Sequence, residues 1–348
     1  MRLLTIATTA ALIFSACGGS GSPAPAKTTA GTAAAQTAAP TSTELKRTAS
    51  GFPARAISFI VPYAAGGGSD ILIRSLDKIA TDLKVIPQNF TISSVAGGSG
   101  FTGKQQAVAK PADGYTLTIG DDSSVFGQIL GQAPMKYTEF TYIARLVSDP
   151  NMVVVRNESP LKTLKDWLDA AKAKPKGISV GGTGIGNADN VQLANIEKLS
   201  GTSFNYVSFD SGGQVMTNLL GAKIDAAMAN PSEAYEQMRA GKVRALGITT
   251  DKRISDLPDV PTLKEQGVNY VVAQFRGVAG PKGIPADVVA YLEEAFKRVA
   301  KSDPWKTDYL SKYQQVDGYM GSAEFTAFMD TFFKEQEQAF KDLPSLKQ

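Results

Sequence analysis

Short apolar runs alternate with amphipathic stretches along most of this chain, and the two kinds of segment differ in period. Runs at 56–63, 90–95 and 115–120 read as strands, and the intervening 70–83 and 103–110 read as helices. In 70–83, Ile71, Leu72, Leu76, Ile79 and Leu83 fall close to one helical face, with Lys78 and Asp82 outside it and Ser69 as the predicted N-cap. That stripe is core, not a binding groove. The plan resumes near Val153 with a strand at 152–155, a helix with Leu164, Trp167, Leu168 and Ala171 on one face, and a strand at 178–180. A helix at 192–199, a strand at 204–209, a helix at 214–220 and strands at 224–228 and 245–249 follow, before the chain crosses back through 275–279. It closes with helices at 286–300 and 323–341, the second with Phe325, Phe328, Met329, Phe332 and Phe340, an aromatic stripe expected to pack onto the first half. The rhythm predicts an α/β fold of two lobes, each a mainly parallel sheet flanked by helices, with two crossings and a cleft at the carboxyl ends of the strands.

Two of these strands run straight into glycine-rich helix starts, Phe59-Ile-Val-Pro-Tyr-Ala-Ala-Gly-Gly-Gly-Ser-Asp70 and Ile178-Ser-Val-Gly-Gly-Thr-Gly-Ile-Gly-Asn187. At such a junction the first helical N–H groups lack intrahelical partners, the helix dipole is positive, and glycine lets a ligand reach the bare backbone. Each junction looks built to hold an anion, and two of them suggest a clamp.

The ends and the composition narrow the choice of function. Residues 1–16 read as a secretory signal: Met-Arg, an apolar run from Leu3 to Phe14, then Ser15 and Ala16. Cys17 is the only cysteine and stands where a lipoprotein signal would be cut and the new N-terminus acylated, although Phe14 departs from the aliphatic residue usual three positions earlier. From 17 to 51 the chain is Gly, Ser, Pro, Ala and Thr with almost no large apolar residue, the composition of a flexible tether behind a lipidated Cys17. Roughly 300 residues remain, enough for two lobes with ordinary cores. The expected lobes are 52–152 plus 276–348, and 153–275. A net charge of +3 argues against a nucleic-acid partner. The absence of histidine removes the usual metal ligand and general base, so no metal, cofactor or catalytic residue is predicted.

The run Val-Pro-Tyr-Ala-Ala-Gly-Gly-Gly-Ser-Asp is followed by Ala96-Gly-Gly-Ser-Gly100, Pro111-Ala-Asp-Gly-Tyr-Thr-Leu117, Ala240-Gly-Lys-Val-Arg-Ala-Leu-Gly247 and Leu257-Pro-Asp-Val-Pro-Thr-Leu263. In that order the motifs resemble the tripartite tricarboxylate transporter substrate-binding family, the Bug-type receptors, over about residues 55–342. The resemblance implies a type II periplasmic-binding-protein fold and a membrane permease of one large and one small subunit as partner. It also implies that the backbone and hydroxyls of the loop after the first strand of each lobe grip a ligand carboxylate. Carried over, those loops are 65–70, with Ala65, Gly67, Gly68, Ser69 and Asp70, and 183–190, with Thr183, Gly184, Gly186, Asn187 and Asn190. Asp70 either meets a ligand donor or only complements the helix dipole.

Where the family commonly has histidine this chain has Asn190, and where it commonly has lysine it has Asp210. Asp189, Asp121 and Asp122 add acids near the predicted strand ends, either as repulsive features of the site or as solvated rim residues. If they face the ligand, they favour a carboxylate that also carries an amine, amide or hydroxyl donor. Tyr63, Ser123 and Asn230 lie at predicted strand ends and Phe275 at the crossover, all candidates to line the cleft. Arg276 either contacts a carboxylate, braces the hinge or sits in solvent. Gly98-Ser-Gly-Phe-Thr-Gly-Lys-Gln105 comes one residue short of a phosphate-binding loop, and glutamine replaces its hydroxyl residue. Ser75/Lys78 and Ser159/Lys162 have Ser-x-x-Lys spacing without the companion elements of serine acyl enzymes. The expectation is a lipid-anchored receptor outside the cytoplasm for a small organic acid: a di- or tricarboxylate, an amino-acid-like acid or an aromatic acid. The rivals are a ligand-sensing lipoprotein and an exported Ser-Lys hydrolase.

Overall fold

Two sheets form, one from each half of the pattern. The larger contains Ser58–Val61 (β1), Thr91–Ser94 (β2), Thr116–Asp121 (β3), Phe140–Asp149 (β4), Gln274–Pro281 (β10) and Val316–Met320 (β11), in the order β11-β4-β10-β3-β1-β2. The smaller contains Met152–Arg156 (β5), Ser179–Thr183 (β6), Asn205–Phe209 (β7), Ala226–Ala229 (β8) and Val243–Ile248 (β9), in the order β7-β6-β8-β5-β9. The computed structural model describes residues 45–343 and 346, so the predicted leader, Cys17 and the tether up to residue 44 lie outside it.

Helices flank both sheets: Gly68–Asp82 (α1), Phe101–Val108 (α2), Ser123–Ile129 (α3), Leu164–Ala173 (α4), Ala188–Ser200 (α5), Gly212–Leu220 (α6), Pro231–Arg239 (α7), Ala286–Lys301 (α8) and Ser322–Ala339 (α9). The α/β class holds, but the sheets are mixed and not mainly parallel. β1 pairs in parallel with β2 and β3, and β6 with β7 and β8. β10 runs antiparallel to β3 and β4, and β5 antiparallel to β8 and β9. The cause is the exchange of chain between sheets: β5 enters the smaller sheet directly from β4, and β10 re-enters the larger one. Neither arrives through the helical crossover that parallel pairing needs.

Leu72, Leu76 and Ile79 of α1 are buried in the core under the larger sheet with Phe59, Val61, Leu292 and Phe296, while Ile71 and Leu83 are half-buried at its margin. The N-cap is Gly67, not Ser69: its extended backbone (φ −85°, ψ 171°) lets the helix begin at Gly68, which places Ser69 inside the first turn. Under the smaller sheet Trp167 stacks on Phe204, ring centroids 3.9 Å apart. The aromatic stripe of α9 packs as expected, with Phe325 and Met329 in one cluster with Phe126, Tyr142 and Phe275. Leu45 rests against the larger core and Gly51 N–H donates to the Thr48 carbonyl, so this stretch at the end of the predicted tether is folded against the body. Among the described residues no helix is long and apolar enough to cross a membrane.

Candidate functional site

Five strands end at one place. β1, β3, β6, β7 and β8 each deliver the chain at their carboxyl ends to a cavity between the sheets, and antiparallel β10 begins there. The cavity holds about 480 Å³ of empty space, part of it open to solvent. Its wall includes the first residues of three helices: Gly68 and Ser69 of α1, Ala188 and Asp189 of α5, and Gly212 of α6 behind its cap Ser211. Helix N-termini present unpaired N–H groups and the positive end of the dipole, so their convergence makes the cavity attractive to an anion.

Of the residues singled out from the sequence, Tyr63, Gly67, Gly68, Ser69, Thr183, Asn187, Asn230 and Phe275 stand on this wall. Ala65, Asp70, Ser123, Gly184, Gly186, Asn190 and Asp210 do not. Most of these seven shape the loops from behind. Asp70 accepts the Gly66 N–H at 3.1 Å and pairs with Arg74 at 2.9 Å, so its carboxylate organises the turn. Asn190 accepts the Gly186 N–H at 3.0 Å, and Gly184 and Gly186 supply the left-handed backbone (φ +70° and +72°) that folds the second loop back on itself. Asp210 is exposed, and its carbonyl accepts the Ala64 N–H at 3.1 Å, tying the two halves together. Ser123 donates to Asp121 at 2.7 Å within a buried network behind Tyr63.

That network explains the near-miss phosphate loop. Lys104 is wholly buried and its ammonium bonds to Asp121, Ser123 and Ser124, so the lysine serves an internal ion pair. Burial alone would raise the Asp121 carboxyl, but the Lys104 ammonium together with the Ser123 and Tyr63 hydroxyls offsets it and holds the group below the usual carboxylate range. Tyr63 donates to the other Asp121 oxygen at 2.9 Å, and its phenol is pushed well up, first by burial and then by that carboxylate.

Asp121, Asp122 and Asp189 are not solvated rim residues: all are buried, the first two at the end of β3 and Asp189 in the first turn of α5. Asp189 accepts from Asn151 at 2.6 Å, from Gln274 at 2.9 Å and from the Thr183 N–H at 2.7 Å. Arg276 is buried too. It is ion-paired with the wholly buried Asp149, donates to Asn230 at 2.9 Å, and covers Gly68 with its guanidinium. Phe275 stands edge-on to Phe325, Phe328 and Phe332, which fixes its ring at the wall.

Glu233 is absent from the sequence reading. In the third position of α7 it accepts from its own cap residue, the Asn230 N–H, at 3.1 Å and reaches across to accept the Gly68 N–H at 3.0 Å. Its carboxylate thus sits where an anion at the start of α1 would sit. The Asn-Pro-Ser-Glu spacing at 230–233 is the local signal that would have found it, since Asn followed three residues later by Glu marks a helix start. Burial, and then Asp189, pushes this carboxyl up to about 7. The folded form therefore holds the proton to higher pH than the unfolded chain, and the associated stability is complete below the ordinary glutamate range and fades as pH rises through about 7. Glu233→Gln is expected to flatten the fall in unfolding free energy between pH 5 and pH 8 seen in urea titrations of the unaltered chain; an unchanged slope would contradict this placement.

A family description, the tripartite tricarboxylate transporter family receptor, matches residues 76–342. A similar protein is BugT of Bordetella pertussis, 27% identical over 256 residues that cover 72% of this chain and 78% of that one. Among solved structures, a TctC solute binding protein from Polaromonas is 29% identical and superposes with a TM-score of 0.61, covering 84% of this chain and all of that one (100%). MatC from Rhodopseudomonas palustris, whose structure holds malate, shares the fold at a TM-score of 0.76 with 22% identity, covering 84% of this chain and 99% of that one. The Polaromonas protein is a solute binding protein and the matched family is one of receptors and not of enzymes, so the cavity is that of a solute receptor, and the chain belongs to the tripartite tricarboxylate transporter receptor family.

Proposed function

We propose that this chain captures a small organic carboxylate between two lobes, 52–152 plus 276–348 and 153–275, and delivers it to the large and small membrane subunits of a tripartite tricarboxylate-type permease. The observation that carries the reading is the convergence of the α1, α5 and α6 N-termini on one cavity, because they come from both sheets and can close on a ligand only together. The ligand carboxylate takes the Gly67–Ser69 and Asn187–Ala188 backbone, with Thr183 and Tyr63 beside it, and displaces or shares the position of Glu233 at Gly68. The protein itself acts outside the cytoplasm, held to the outer face of the membrane by acylation of Cys17 with the Gly/Ser/Pro/Ala/Thr-rich segment as tether. The small-acid ligands of relatives, malate in MatC among them, support the substrate class.

The test is a thermal unfolding screen of the refolded full chain against malate, succinate, citrate, L-glutamate and benzoate. A ligand at a hundred times its Kd adds about 2.7 kcal/mol and raises the midpoint visibly. Failure of every carboxylate to shift it would sink the proposal, and membrane association of the expressed chain that survives Cys17→Ser would sink its anchoring arm.

A further inference from the structure

Asp122 directly follows β3 and precedes α3 with backbone angles that are already helical (φ −67°, ψ −22°), and the Ser123 N–H beside it is taken by the Asp121 carboxylate at 3.1 Å. The Asp122 carboxylate makes no bond to the helix start. The side chain lines the cavity instead, 7% exposed, and none of its oxygens hydrogen-bonds another described residue. The other charged groups around the cavity are engaged. Arg276 is neutralised by Asp149 and Lys104 by Asp121. Asp189 is satisfied by three N–H donors and Glu233 by two. Two cations matched by two acids leave Asp122, Asp189 and Glu233 without a cation of their own, and of these only Asp122 has no hydrogen-bond donor among the described residues.

Such a wall treats the two ends of a ligand differently. The helix N-termini at Gly68, Ala188 and Gly212 favour a carboxylate, whereas a second carboxylate placed beside Asp122 meets like charge in a poorly solvated space unless Asp122 keeps a proton. An ammonium there finds an acceptor whose burial is otherwise uncompensated. We propose that the solute of this cleft carries an ammonium group as well as its carboxylate, and that Asp122 is the group that receives it. The inference rests on the carboxylate-receptor reading above and names the substrate class of the same site.

In the empty cavity burial, and then the neighbouring Asp121, pushes the Asp122 carboxyl well above the usual range, which favours its protonated form. An arriving ammonium favours the charged form, and whatever proton the carboxyl holds leaves to solvent. This separates the proposal from its closest competitor, in which a protonated Asp122 donates a hydrogen bond to a second ligand carboxylate. Asparagine replaces that donor but cannot replace the charge.

The experiment is calorimetric titration of the full chain with probes matched in carbon skeleton: L-aspartate against succinate, L-glutamate against glutarate, and 4-aminobutyrate against butyrate, repeated with Asp122→Asn and in buffers of different ionisation enthalpy. The expected result is that the amine-bearing member of at least one pair binds tenfold or more tighter than its partner, with proton release, and that Asp122→Asn removes that advantage while leaving the unfolding midpoint near that of the parent. Amine-free acids binding equally well or better overturns the proposal and leaves the carboxylate receptor intact. An amine preference that survives Asp122→Asn overturns the assignment to this residue. Binding of no member of any pair overturns the proposal, and the receptor reading falls with it only if the malate, citrate and benzoate of the thermal screen fail as well. The comparison on the unaltered chain needs no variant, so a poorly folding Asp122→Asn does not rescue the idea.

Discussion

Arg276→Met is expected to lower the unfolding free energy by about 3–5 kcal/mol, the usual cost of stranding one member of a buried ion pair. The partner left behind is Asp149 at the end of β4, wholly buried and opposite Gln274 in the β4–β10 register, two residues along β10 from Arg276. Methionine fills most of the volume but leaves the carboxylate without its cation in a poorly solvated interior. The same guanidinium donates to Asn230, the cap of α7 in the other sheet's half, so the variant also loosens the contact between halves beside the cavity. The double variant Arg276→Met with Asp149→Asn is expected to recover a large part of the loss, because the uncompensated charge is gone. Urea unfolding of the parent and both variants measures this. A single-variant loss under about 1 kcal/mol, the range of exposed pairs, would show that the pair is hydrated and not the buried brace described here.

The parts of the fold legible in the sequence were those written locally. The α1 stripe, the glycine run before it and the aromatic stripe of α9 are periodic signals on contiguous residues, and each sits where its pattern places it. What was not legible depends on partners distant in sequence. β4 runs from Phe140 to Asp149, yet its polar and charged members, Arg145 and Ser148 among them, broke the expected strand pattern; they are accommodated because β10 and β11 flank it on both sides. β11 is only five residues long, interrupted by Asp317 and Gly318, and joins the sheet through its pairing with β4.

The site divides in the same way. Gly67, Gly68, Thr183 and Asn187 belong to loops whose chemistry is visible in a short window. Whether Asp70 or Asp122 faces the cavity turns on where one carboxylate points. Asp70 is taken by Gly66 and Arg74, four residues away on either side, whereas the helix start beside Asp122 is taken by Asp121 and leaves the Asp122 carboxylate on the cavity wall. Glu233 carried a local signal as a helix cap, but nothing in the window 230–233 announces that its second oxygen reaches a backbone N–H 165 residues earlier.

Gly68→Leu is expected to weaken binding of whichever carboxylate the screen identifies by at least a hundredfold, about 3 kcal/mol. A Cβ at this position would stand 2.8 Å from both terminal nitrogens of Arg276, closer than packed atoms approach. The guanidinium cannot swing aside without leaving Asp149 and Asn230. The added side chain must therefore either break that brace or enter the cavity where the ligand carboxylate meets the start of α1, and both outcomes remove binding. Gly68 is needed for its lack of a side chain and not for its backbone angles, so the smaller Gly68→Ala is expected to fall between the two. Ser69→Ala is the informative contrast. It deletes the hydroxyl of the adjacent wall residue but keeps the N–H, and is expected to change affinity by less than about tenfold. If Ser69→Ala abolishes binding while Gly68→Leu is tolerated in a folded protein, the ligand is held by hydroxyl side chains and the backbone clamp at α1 is wrong.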